Sequence, residues 1–507
     1  MDKDLSSVAR EVLAFAEEEG LFTCKDIVVG LSGGPDSVML LTILSELKAK
    51  TEGFPNLHAV HVNHNIRQEA KEDEDLAVRT AKRYNVPLKA VSADVEGEAK
   101  KLKRSVEDAG RIVRYKAFRD YIRQNDLTDA YIAVAHHADD VAETVMLNLF
   151  RGSGLEGLVS PEPKNGDIIR PLLKLRKAEI TKYLQDNNIE YAEDKTNADS
   201  AYTRNAWRNE ILPKIGEHSV KDPVEAIGDT YDLLKDDKDF IEEEARKAYE
   251  KAKTADNVLR QKDIEDLPKA LKSRVIRRLW EETFGNLTDF TRKNTEDCLN
   301  ELKDKSNTRL DMPFGRIFLK AGGFVAFTTE EDYDKTADKI AELMGFITAD
   351  VGTVIPLDTK ELRSGSKTTN MPNSDIQITC EIVENVKGLA YNSKSWFYPL
   401  IKGDETIDLV LKNGSLTDRF RRAGSDCSKP LGRLLMGLRV PKEARGSVLY
   451  VESRGEIIWI PGFGASCGIT SEKAYEAWTK ANGGVTPKGF IKVSVVKGYG
   501  KEEYGSV

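Results

Sequence analysis

Asp26-Ile27-Val28-Val29-Gly30-Leu31-Ser32-Gly33-Gly34-Pro35-Asp36-Ser37 is the stretch that decides the fold. A short β-branched run ends in a glycine-rich turn, and an apolar helical pattern follows from Asp36. Glycines let the backbone turn sharply and expose consecutive N–H groups, which form an anion-binding concavity at a helix N-terminus. The stretch therefore predicts a strand, a loop and a helix that together bind a pyrophosphate group.

The polar side chains of this loop suit ATP. The hydroxyls of Ser32 and Ser37 can donate to phosphate oxygens, and the carboxylate of Asp36 suits a magnesium ion that bridges the phosphates. No G-x-x-x-x-G-K-[ST] motif is present, which favours cleavage between the first and second phosphates over transfer of the terminal one. The alternative is a generic Gly-Pro turn in which Asp36 caps the helix. The predicted ATP-binding residues are Ser32, Gly33, Gly34, Pro35, Asp36 and Ser37.

Short β-branched runs alternate with helical patterns through the first two hundred residues. The predicted strands are 26–31, 57–62, 88–91 and 131–135. This alternation predicts an α/β fold with a doubly wound parallel sheet, and ligands bind such sheets at the carboxyl ends of the strands. Each candidate motif follows one of those ends.

A second polar segment, HHADDVAET at 136–144, follows the last of these strands. Asp140 and Glu143 are i,i+3 neighbours on the predicted helix, so their carboxylates share one face and could hold magnesium or an amine. His137 is expected to orient substrate or phosphate. The alternative is a capping box with Asp139 or Asp140 as the cap, and the sequence leaves open which of the two aspartates is the principal metal ligand.

Composition sets limits on the class of protein. The chain has 507 residues, a formal net charge of −8 and no apolar run long enough to span a bilayer, so we expect no membrane role and a cytoplasmic location. Its five cysteines are scattered without a Cys-x-x-Cys pair, which argues against a disulfide framework, a zinc site or a sulfur relay. Two basic stretches, 100–123 and 412–445, stand out against the acidic average, as solvated faces or as sites for nucleic acid.

The pattern also predicts domains. We expect a catalytic domain at 1–216, a helical domain at 217–345, connecting strands at 346–403, a small mixed α/β C-terminal domain at 404–485 and a tail at 486–507. The tail alternates apolar residues and is expected to form a strand or an ordered extension.

The loop and its neighbours resemble a known family. SGGPDS is similar to the PP-motif of the N-type ATP pyrophosphatases, and the further motifs resemble those of one branch, the tRNA(Ile)-lysidine synthetases. The similar segments are HHADDVAET and RGSGLEGL at 136–144 and 151–158, the helix at 105–115, RPLL at 170–173, EDKTN at 193–197, YTRNAWR at 202–208, and stretches at 418–420, 429–441 and 458–462. They cover nearly the whole first domain and part of the last. The resemblance implies that the helical domain at 217–345 binds substrate or tRNA and that the C-terminal domain at 404–485 binds tRNA.

This resemblance implies a reaction. The wobble cytidine of a tRNA(Ile) with a CAU anticodon would be adenylated by ATP at its C2 oxygen, and the ε-amine of L-lysine would then displace AMP. The implied catalytic residues are Asp36, Asp140, Glu143 and Arg114, with Mg²⁺ held by Asp36 and Asp140. The implied substrate or tRNA contacts are Arg111, Arg204, Arg208, His137, Arg419, Arg421 and Arg422, and Glu107 is expected to pair with one of the arginines of its helix.

The chain departs from the family pattern at two informative positions. Val141 stands where glutamine is usual, which puts a polar contact there in doubt, and Thr417 replaces a glycine before Asp418. Two other functions remain open: a PP-loop tRNA thiolase, which would need a reactive cysteine such as Cys24 or Cys298, and a non-catalytic tRNA-binding protein. The oligomeric state is also open, with a homodimer among the options.

Overall fold

The chain divides into two compact units, Met1–Phe240 and Ile241–Val507. This computed structural model describes residues 5–63, 70–103, 105–192, 206–304, 306–350, 352–357, 362, 366–370, 375–384, 394–400, 407–423, 427–469 and 472–497. The division is coarser than the predicted set of domains, whose boundaries stay a prediction.

The first unit has a six-stranded sheet with the order β3-β2-β1-β4-β6-β5. All neighbours are parallel except β5 and β6. The strands are β1 (Asp26–Gly30), β2 (Asn56–Asn63), β3 (Leu88–Ser92), β4 (Ala130–Ala133), β5 (Lys164–Asn165) and β6 (Ile168–Ile169). The four strands predicted from the sequence are all present, and the prediction of a doubly wound α/β fold is confirmed.

Helices cover both faces of this sheet. They are α1 (Ser7–Glu18), α2 (Pro35–Lys50), α3 (Ala70–Arg83), α4 (Val95–Leu102), α5 (Val106–Gln124), α6 (Ala138–Phe150), α7 (Leu155–Leu158), α8 (Lys177–Asp186), α9 (Leu212–Gly216) and α10 (Pro223–Ala252), with a π-helical turn at Trp207–Ile211. The unit boundary falls within α10.

Two apolar clusters pack the helices onto the two faces of this sheet. Helix α2 is apolar nearly all round, and it lies in the larger cluster together with Ile27 and Val29 of β1. Phe118 of α5 lies on the opposite face, where it packs with Val28 and Val60. The alternating side chains of β1 therefore contact α2 on one face and α5 on the other.

The register of β1 and β4 brings two polar loops to one edge. Val29 is paired with Ala133 in parallel, so both strands end at the same level. β6 is the next strand along, parallel to β4. The segments that follow β1, β4 and β6 consequently begin side by side, and they lead into α2, α6 and α8.

The described part of the second unit contains three sheets. An antiparallel sheet has the order β7-β8-β11-β10-β9, a seven-stranded sheet runs β12-β16-β19-β20-β17-β18 with β21 on β20, and a four-stranded sheet runs β13-β14-β22-β15. Its strands are β7 (Lys253–Ala255), β8 (Val258–Arg260), β9 (Thr308–Met312), β10 (Arg316–Ala321), β11 (Phe324–Thr329), β12 (Val354–Leu357), β13 (Lys367–Asn370), β14 (Ile376–Val383), β15 (Ser395–Leu400), β16 (Leu409–Lys412), β17 (Arg419–Phe420), β18 (Lys429–Pro430), β19 (Tyr450–Ser453), β20 (Glu456–Ile460), β21 (Gly464–Ala465) and β22 (Gly489–Lys497).

Its helices are α11 (Lys269–Phe284), α12 (Arg292–Glu301), α13 (Tyr333–Leu343), α14 (Leu431–Gly437) and α15 (Glu472–Ala481), with short 3₁₀ turns at Gln261–Asp263, Pro313–Gly315 and Glu443–Arg445. The description of the middle region as helical is incomplete, because it also holds the sheet of β7 to β11. The predicted tail contains β22, which pairs with both β14 and β15.

Gly30, the last residue of β1, allows α5 to approach the sheet. A methyl group at this position would lie 2.7 Å from Cζ of Phe118, which is itself fully enclosed. We predict that Gly30→Ala lowers the free energy of unfolding by about 1–3 kcal/mol, because the ring has no room to move. Urea unfolding of the variant and of Gly30→Ala with Phe118→Leu measures this; the double variant should recover part of the loss. Equal stability of Gly30→Ala and the wild type would contradict the packing described.

Candidate active site

The loop between β1 and α2 has the geometry of an anion site. Gly33 has a φ of 92°, a left-handed conformation that suits glycine, and a Cβ there would lie 3.1 Å from the carbonyl oxygen of Asp73. Helix α2 begins directly after Gly34, with Pro35 in its first turn. Proline costs no hydrogen bond in that position, so the N–H groups of the turn and the positive end of the helix dipole face the same space.

The two serines of the loop hold its shape. The hydroxyls of Ser32 and Ser37 lie 3.0 Å apart, and the backbone N–H of Ser32 donates to Oγ of Ser37 at 3.1 Å. The hydroxyl of Ser37 also donates to the carbonyl of Gly34. Ser37 is buried while Ser32 is exposed, so Ser37 supports the turn and Ser32 faces outward.

Three aspartates approach the imidazole of His137: Asp36 from α2, and Asp139 and Asp140 from α6. Nε2 of His137 lies 3.8 Å from Oδ1 of Asp36 and 3.5 Å from Oδ2 of Asp140, and its Nδ1 lies 3.5 Å from Oδ2 of Asp139. Burial opposes a charge on this imidazole, but the three carboxylates outweigh it and raise the pKa of His137. Its side chain is 2% exposed, so it contacts the carboxylates and offers little surface to a large substrate. Its predicted contact with substrate or tRNA stays a prediction.

Asp140 also caps its own helix. Its Oδ2 accepts a hydrogen bond from the backbone N–H of His137 at 3.1 Å. Burial would raise the pKa of Asp140, yet His137 and Arg208 lower it below its usual value. A capping box is therefore present, but its cap residue is His137 rather than Asp139 or Asp140, and Asp140 contributes from the third position of the helix. The same carboxylate faces Asp36 across the imidazole.

Glu143 lies one turn further along α6 and is 2% exposed. Arg208 spans it and its neighbour: Nε donates to Oε1 of Glu143 at 2.5 Å and Nη2 donates to Oδ1 of Asp140 at 3.0 Å. Burial would lower the pKa of Arg208, but both carboxylates raise it. Arg208 lies in the π-helical turn, a rare conformation that recurs at functional sites.

Helix α8 supplies two cations that the sequence reasoning missed. Nζ of Lys177 donates to Oδ1 of Asp36 at 2.5 Å, and the backbone N–H of Lys177 donates to Oδ2 of Asp139 at 2.8 Å. The guanidinium of Arg176 contacts Asp139 at 3.5 Å and Asp222 at 2.8 Å. Their signal was weak but present: three basic residues, Lys174, Arg176 and Lys177, follow the RPLL stretch, where the chain returns to the carboxyl edge of the sheet.

Asp139 therefore points toward the start of α8. Burial would raise its pKa, but His137, the N–H of Lys177 and Arg176 lower the pKa of Asp139 well below its usual range. Its contacts anchor α8, whereas Asp140 shares the space beside Asp36. Among the two aspartates, this geometry favours Asp140 as a ligand and Asp139 as a support.

A second histidine is held by a buried arginine. Nε of Arg170 donates to Nδ1 of His136 at 3.0 Å, and its Nη1 donates to the carbonyl of Glu162 at 2.6 Å. Arg170 is 4% exposed, and burial followed by the nearby charge of Arg111 lowers the pKa of Arg170. The positive charge of Arg111 on α5 is therefore close enough to affect the pKa of Arg170 at this edge of the sheet.

Of the three remaining predicted arginines of the first unit, the structure describes Arg111 and Arg114. Arg111 and Arg114 are both exposed on α5, and the guanidinium of Arg111 lies 5.6 Å from the centre of the Tyr115 ring. Arg204 lies outside the described residues, as does the side chain of Glu107, so the expected ion pair with Glu107 stays a prediction.

Two carboxylates of this site, those of Asp36 and Asp140, are the candidates for binding magnesium. Among the residues that the structure describes, no group of three or more His, Cys, Asp or Glu side chains is arranged to hold a metal. Magnesium in nucleotide sites is commonly bound by one or two carboxylates plus phosphate oxygens, and Asp36 and Asp140 lie within 4 Å of the same imidazole nitrogen. Two carboxylates in this arrangement fit an ion that the triphosphate also binds.

Comparison with known proteins places the chain in a family. The PP-loop domain family (ATP_bind_3) matches residues 5–215. A tRNA(Ile)-lysidine synthase of Caldanaerobacter subterraneus subsp. tengcongensis is 31% identical over 86% of this chain and 89% of its own length. One of Clostridium perfringens is 30% identical over 90% of this chain and 95% of its own length. The chain belongs to the tRNA(Ile)-lysidine synthase family. The prediction of an ATP-using PP-loop enzyme of this family is confirmed.

The two departures from the lysidine synthase pattern have different surroundings. Val141 is 4% exposed and lies in the main apolar cluster with Val145, away from the carboxylate face of α6. Thr417 is exposed next to Asp418, whose carboxylate accepts hydrogen bonds from Ser415 and Tyr450. These contacts fix the turn without a glycine.

The C-terminal arginines lie on the surface of the second unit. Arg419, Arg421 and Arg422 are all exposed. Nη2 of Arg419 donates to the carbonyl of Ser428 at 2.6 Å, and the guanidinium of Arg422 lies 5.6 Å from the centre of the Phe463 ring. Cations next to an aromatic ring suit an RNA surface, and their contact with tRNA stays a proposal.

The three buried cysteines have raised pKa values. Burial raises the pKa of Cys24 to about 11, and its thiol donates to the carbonyl of Asp26. Burial also raises the pKa of Cys298 and, to about 11, that of Cys380. Cys427 and Cys467 are exposed in the second unit. A thiolate nucleophile needs a lowered pKa, which Cys24 and Cys298 do not have.

No helix in the described part of the chain could cross a membrane.

Arg208 gives a direct test of the electrostatics at α6. We predict that Arg208→Ala lowers the free energy of unfolding by about 2 kcal/mol. The reason is that the buried carboxylate of Glu143 loses the charged hydrogen bond from the Arg208 guanidinium. Adding Glu143→Gln should restore part of this loss. The control is Arg79→Ala, whose pair with Glu190 is exposed and contributes at most about 1 kcal/mol. Urea unfolding measures all three; equal losses in Arg208→Ala and Arg79→Ala would contradict a buried pair.

Proposed function

We propose that this chain converts the wobble cytidine of a CAU-anticodon tRNA(Ile) to lysidine, using ATP and L-lysine. Membership of the tRNA(Ile)-lysidine synthase family supports the reaction class. The observation that carries the proposal is the meeting of the phosphate loop with Asp36, Asp140 and Glu143 at one edge of the sheet. One side of this site suits a triphosphate, and the other suits an amine.

The first step activates a poor leaving group. The C2 oxygen of the cytidine attacks the α-phosphorus of ATP, the bond from that phosphorus to the bridging oxygen breaks, and pyrophosphate leaves. The N–H groups at the start of α2 and the hydroxyl of Ser32 bind the phosphates. Magnesium held by Asp36 and Asp140 would supply charge compensation for the pyrophosphate. Arg114, exposed on α5, is our candidate for contact with the adenylated base.

The second step forms the carbon–nitrogen bond. The neutral ε-amine of lysine attacks C2, the C2–O bond breaks, and AMP departs with the original oxygen. Glu143 anchors the ammonium and accepts its proton. The Glu143–Arg208 pair supports this assignment, because it establishes that a cationic group fits against this buried carboxylate. His137 contacts the three aspartates and holds their carboxylates in position.

The tRNA needs cations outside this centre. Arg111, Arg114 and Arg208 of the first unit and the exposed Arg419, Arg421 and Arg422 of the second are the candidates, together with Arg204. The cytidine must leave the base stack to react, which local positive charge assists. A homodimer and a cytoplasmic location stay predictions.

The two alternative functions have less support. A thiolase would need an activated cysteine, and burial holds the Cys24 thiol protonated at neutral pH. A purely tRNA-binding protein would not need four carboxylates around a phosphate loop.

Release of pyrophosphate tests the proposal. We predict that ATP yields pyrophosphate only when magnesium and a CAU tRNA(Ile) transcript are present, and that lysine is required for multiple turnovers. The matched control transcript carries uridine at the wobble position, and it should release none. Asp36→Asn should abolish release by the loss of a charge at the phosphates while tRNA binding remains. Multiple turnovers without lysine would sink the proposal.

A further inference from the structure

The phosphate loop contains no basic side chain. Residues 32–37 offer hydroxyls, N–H groups and one carboxylate, whereas a nucleoside triphosphate carries several negative charges. Phosphate sites commonly include a lysine or arginine that binds the oxygens directly. Another part of this chain therefore has to bring a cation to the loop.

Among the described residues, Lys177 places a cation in direct contact with the loop. Its Nζ lies 2.5 Å from Oδ1 of Asp36, although the two residues are 141 positions apart in sequence. The position of its backbone is fixed from two sides, by Asp139 on the N–H of Lys177 and by Glu179 on the N–H of Arg176 at 2.8 Å. A rigid helix start thus carries a flexible side chain to the entrance of the phosphate site.

Folding alone does not account for this pair. The side chains of Lys177 and Asp36 are 35% and 30% exposed, and ion pairs with such exposure contribute about 0–1 kcal/mol to stability. The start of α8 is already held by backbone hydrogen bonds to Asp139 and Glu179. Lys177 could be lost without loss of the fold.

The other two cations of the cluster are each bound twice. Arg176 lies between Asp139 and Asp222, and Arg208 lies between Asp140 and Glu143. In the part of the chain that the structure describes, the ammonium of Lys177 contacts a single carboxylate. It is the cation of this site that can change partner at the lowest cost.

We propose that Lys177 is a catalytic residue that binds the phosphate oxygens of ATP at the pyrophosphate end. In the absence of nucleotide its ammonium neutralises Asp36, and when the triphosphate enters the ammonium moves to a phosphate oxygen, which leaves the Asp36 carboxylate available for magnesium. A lysine ammonium suits this exchange because it is a compact charge with three donors on a flexible stem. The proposal rests on the ATP use of the proposed function and adds the residue that supplies the missing charge.

Nucleotide binding without tRNA or lysine tests this role. The probe is α,β-methylene-ATP with magnesium chloride, which cannot react, and calorimetry gives its Kd. Lys177→Ala should weaken binding by about 10- to 100-fold, the value of one charge-assisted hydrogen bond. Lys177→Arg should retain most of the affinity, because it keeps a cation in reach. The control is Lys182→Ala on the exposed side of the same helix, which should bind as the wild type does.

Two further readouts separate a phosphate contact from a structural role. In turnover, Lys177→Ala should raise the KM for ATP while the KM for lysine stays the same, and product inhibition by pyrophosphate should weaken in parallel. Unaltered urea unfolding confirms that the variant is folded; if it is not, Lys177→Gln takes its place. Wild-type affinity in the folded variant, or tighter binding, would overturn the proposal. If the affinity for the analogue depends on Lys177 but the enzyme makes no lysidine, this inference stands and the proposed reaction is wrong.

Discussion

Four carboxylates at the carboxyl ends of β1 and β4 have to be neutralised inside a partly buried space, and this constraint shapes the site. Asp36, Asp139, Asp140 and Glu143 face three permanent cations and one imidazole whose pKa is raised. Without those partners, repulsion among the carboxylates would favour their protonation or an opening of the cluster. The cations are therefore part of the site from the start, and substrates have to exchange with them.

Under the proposed function, this arrangement would select charged ligands. A triphosphate with magnesium brings both signs of charge, and it would meet Asp36 and Lys177 as a matched pair. A lysine ammonium beside Glu143 would carry the same charge as the guanidinium that it displaces. The same carboxylates would then serve the empty and the loaded forms, and the fold would not have to stabilise an unpaired buried charge.

Local sequence was sufficient for features that depend on neighbouring residues. The glycine-rich turn, the strands around it and the shared face of Asp140 and Glu143 all follow from spacing along the chain, and these were predicted. Arg170, Arg176 and Lys177 were missed as site residues because the site side chains that they contact, His136, Asp139 and Asp36, lie 34, 37 and 141 residues away, and no periodic pattern links them. The five-stranded sheet of the second unit was not predicted, because its strands span only three to six residues and α11 and α12 separate β8 from β9.

Mass analysis of nucleosides tests the central claim most directly. CAU tRNA(Ile) is incubated with the chain, ATP and lysine labelled with ¹⁵N at the ε-position, then digested to nucleosides. The account predicts a wobble cytidine that is heavier by one lysine, less one water, and that retains the ¹⁵N label in its new bond. A wobble cytidine that stays unmodified, or one that gains sulfur or a lysine without the ε-nitrogen bond, would contradict it.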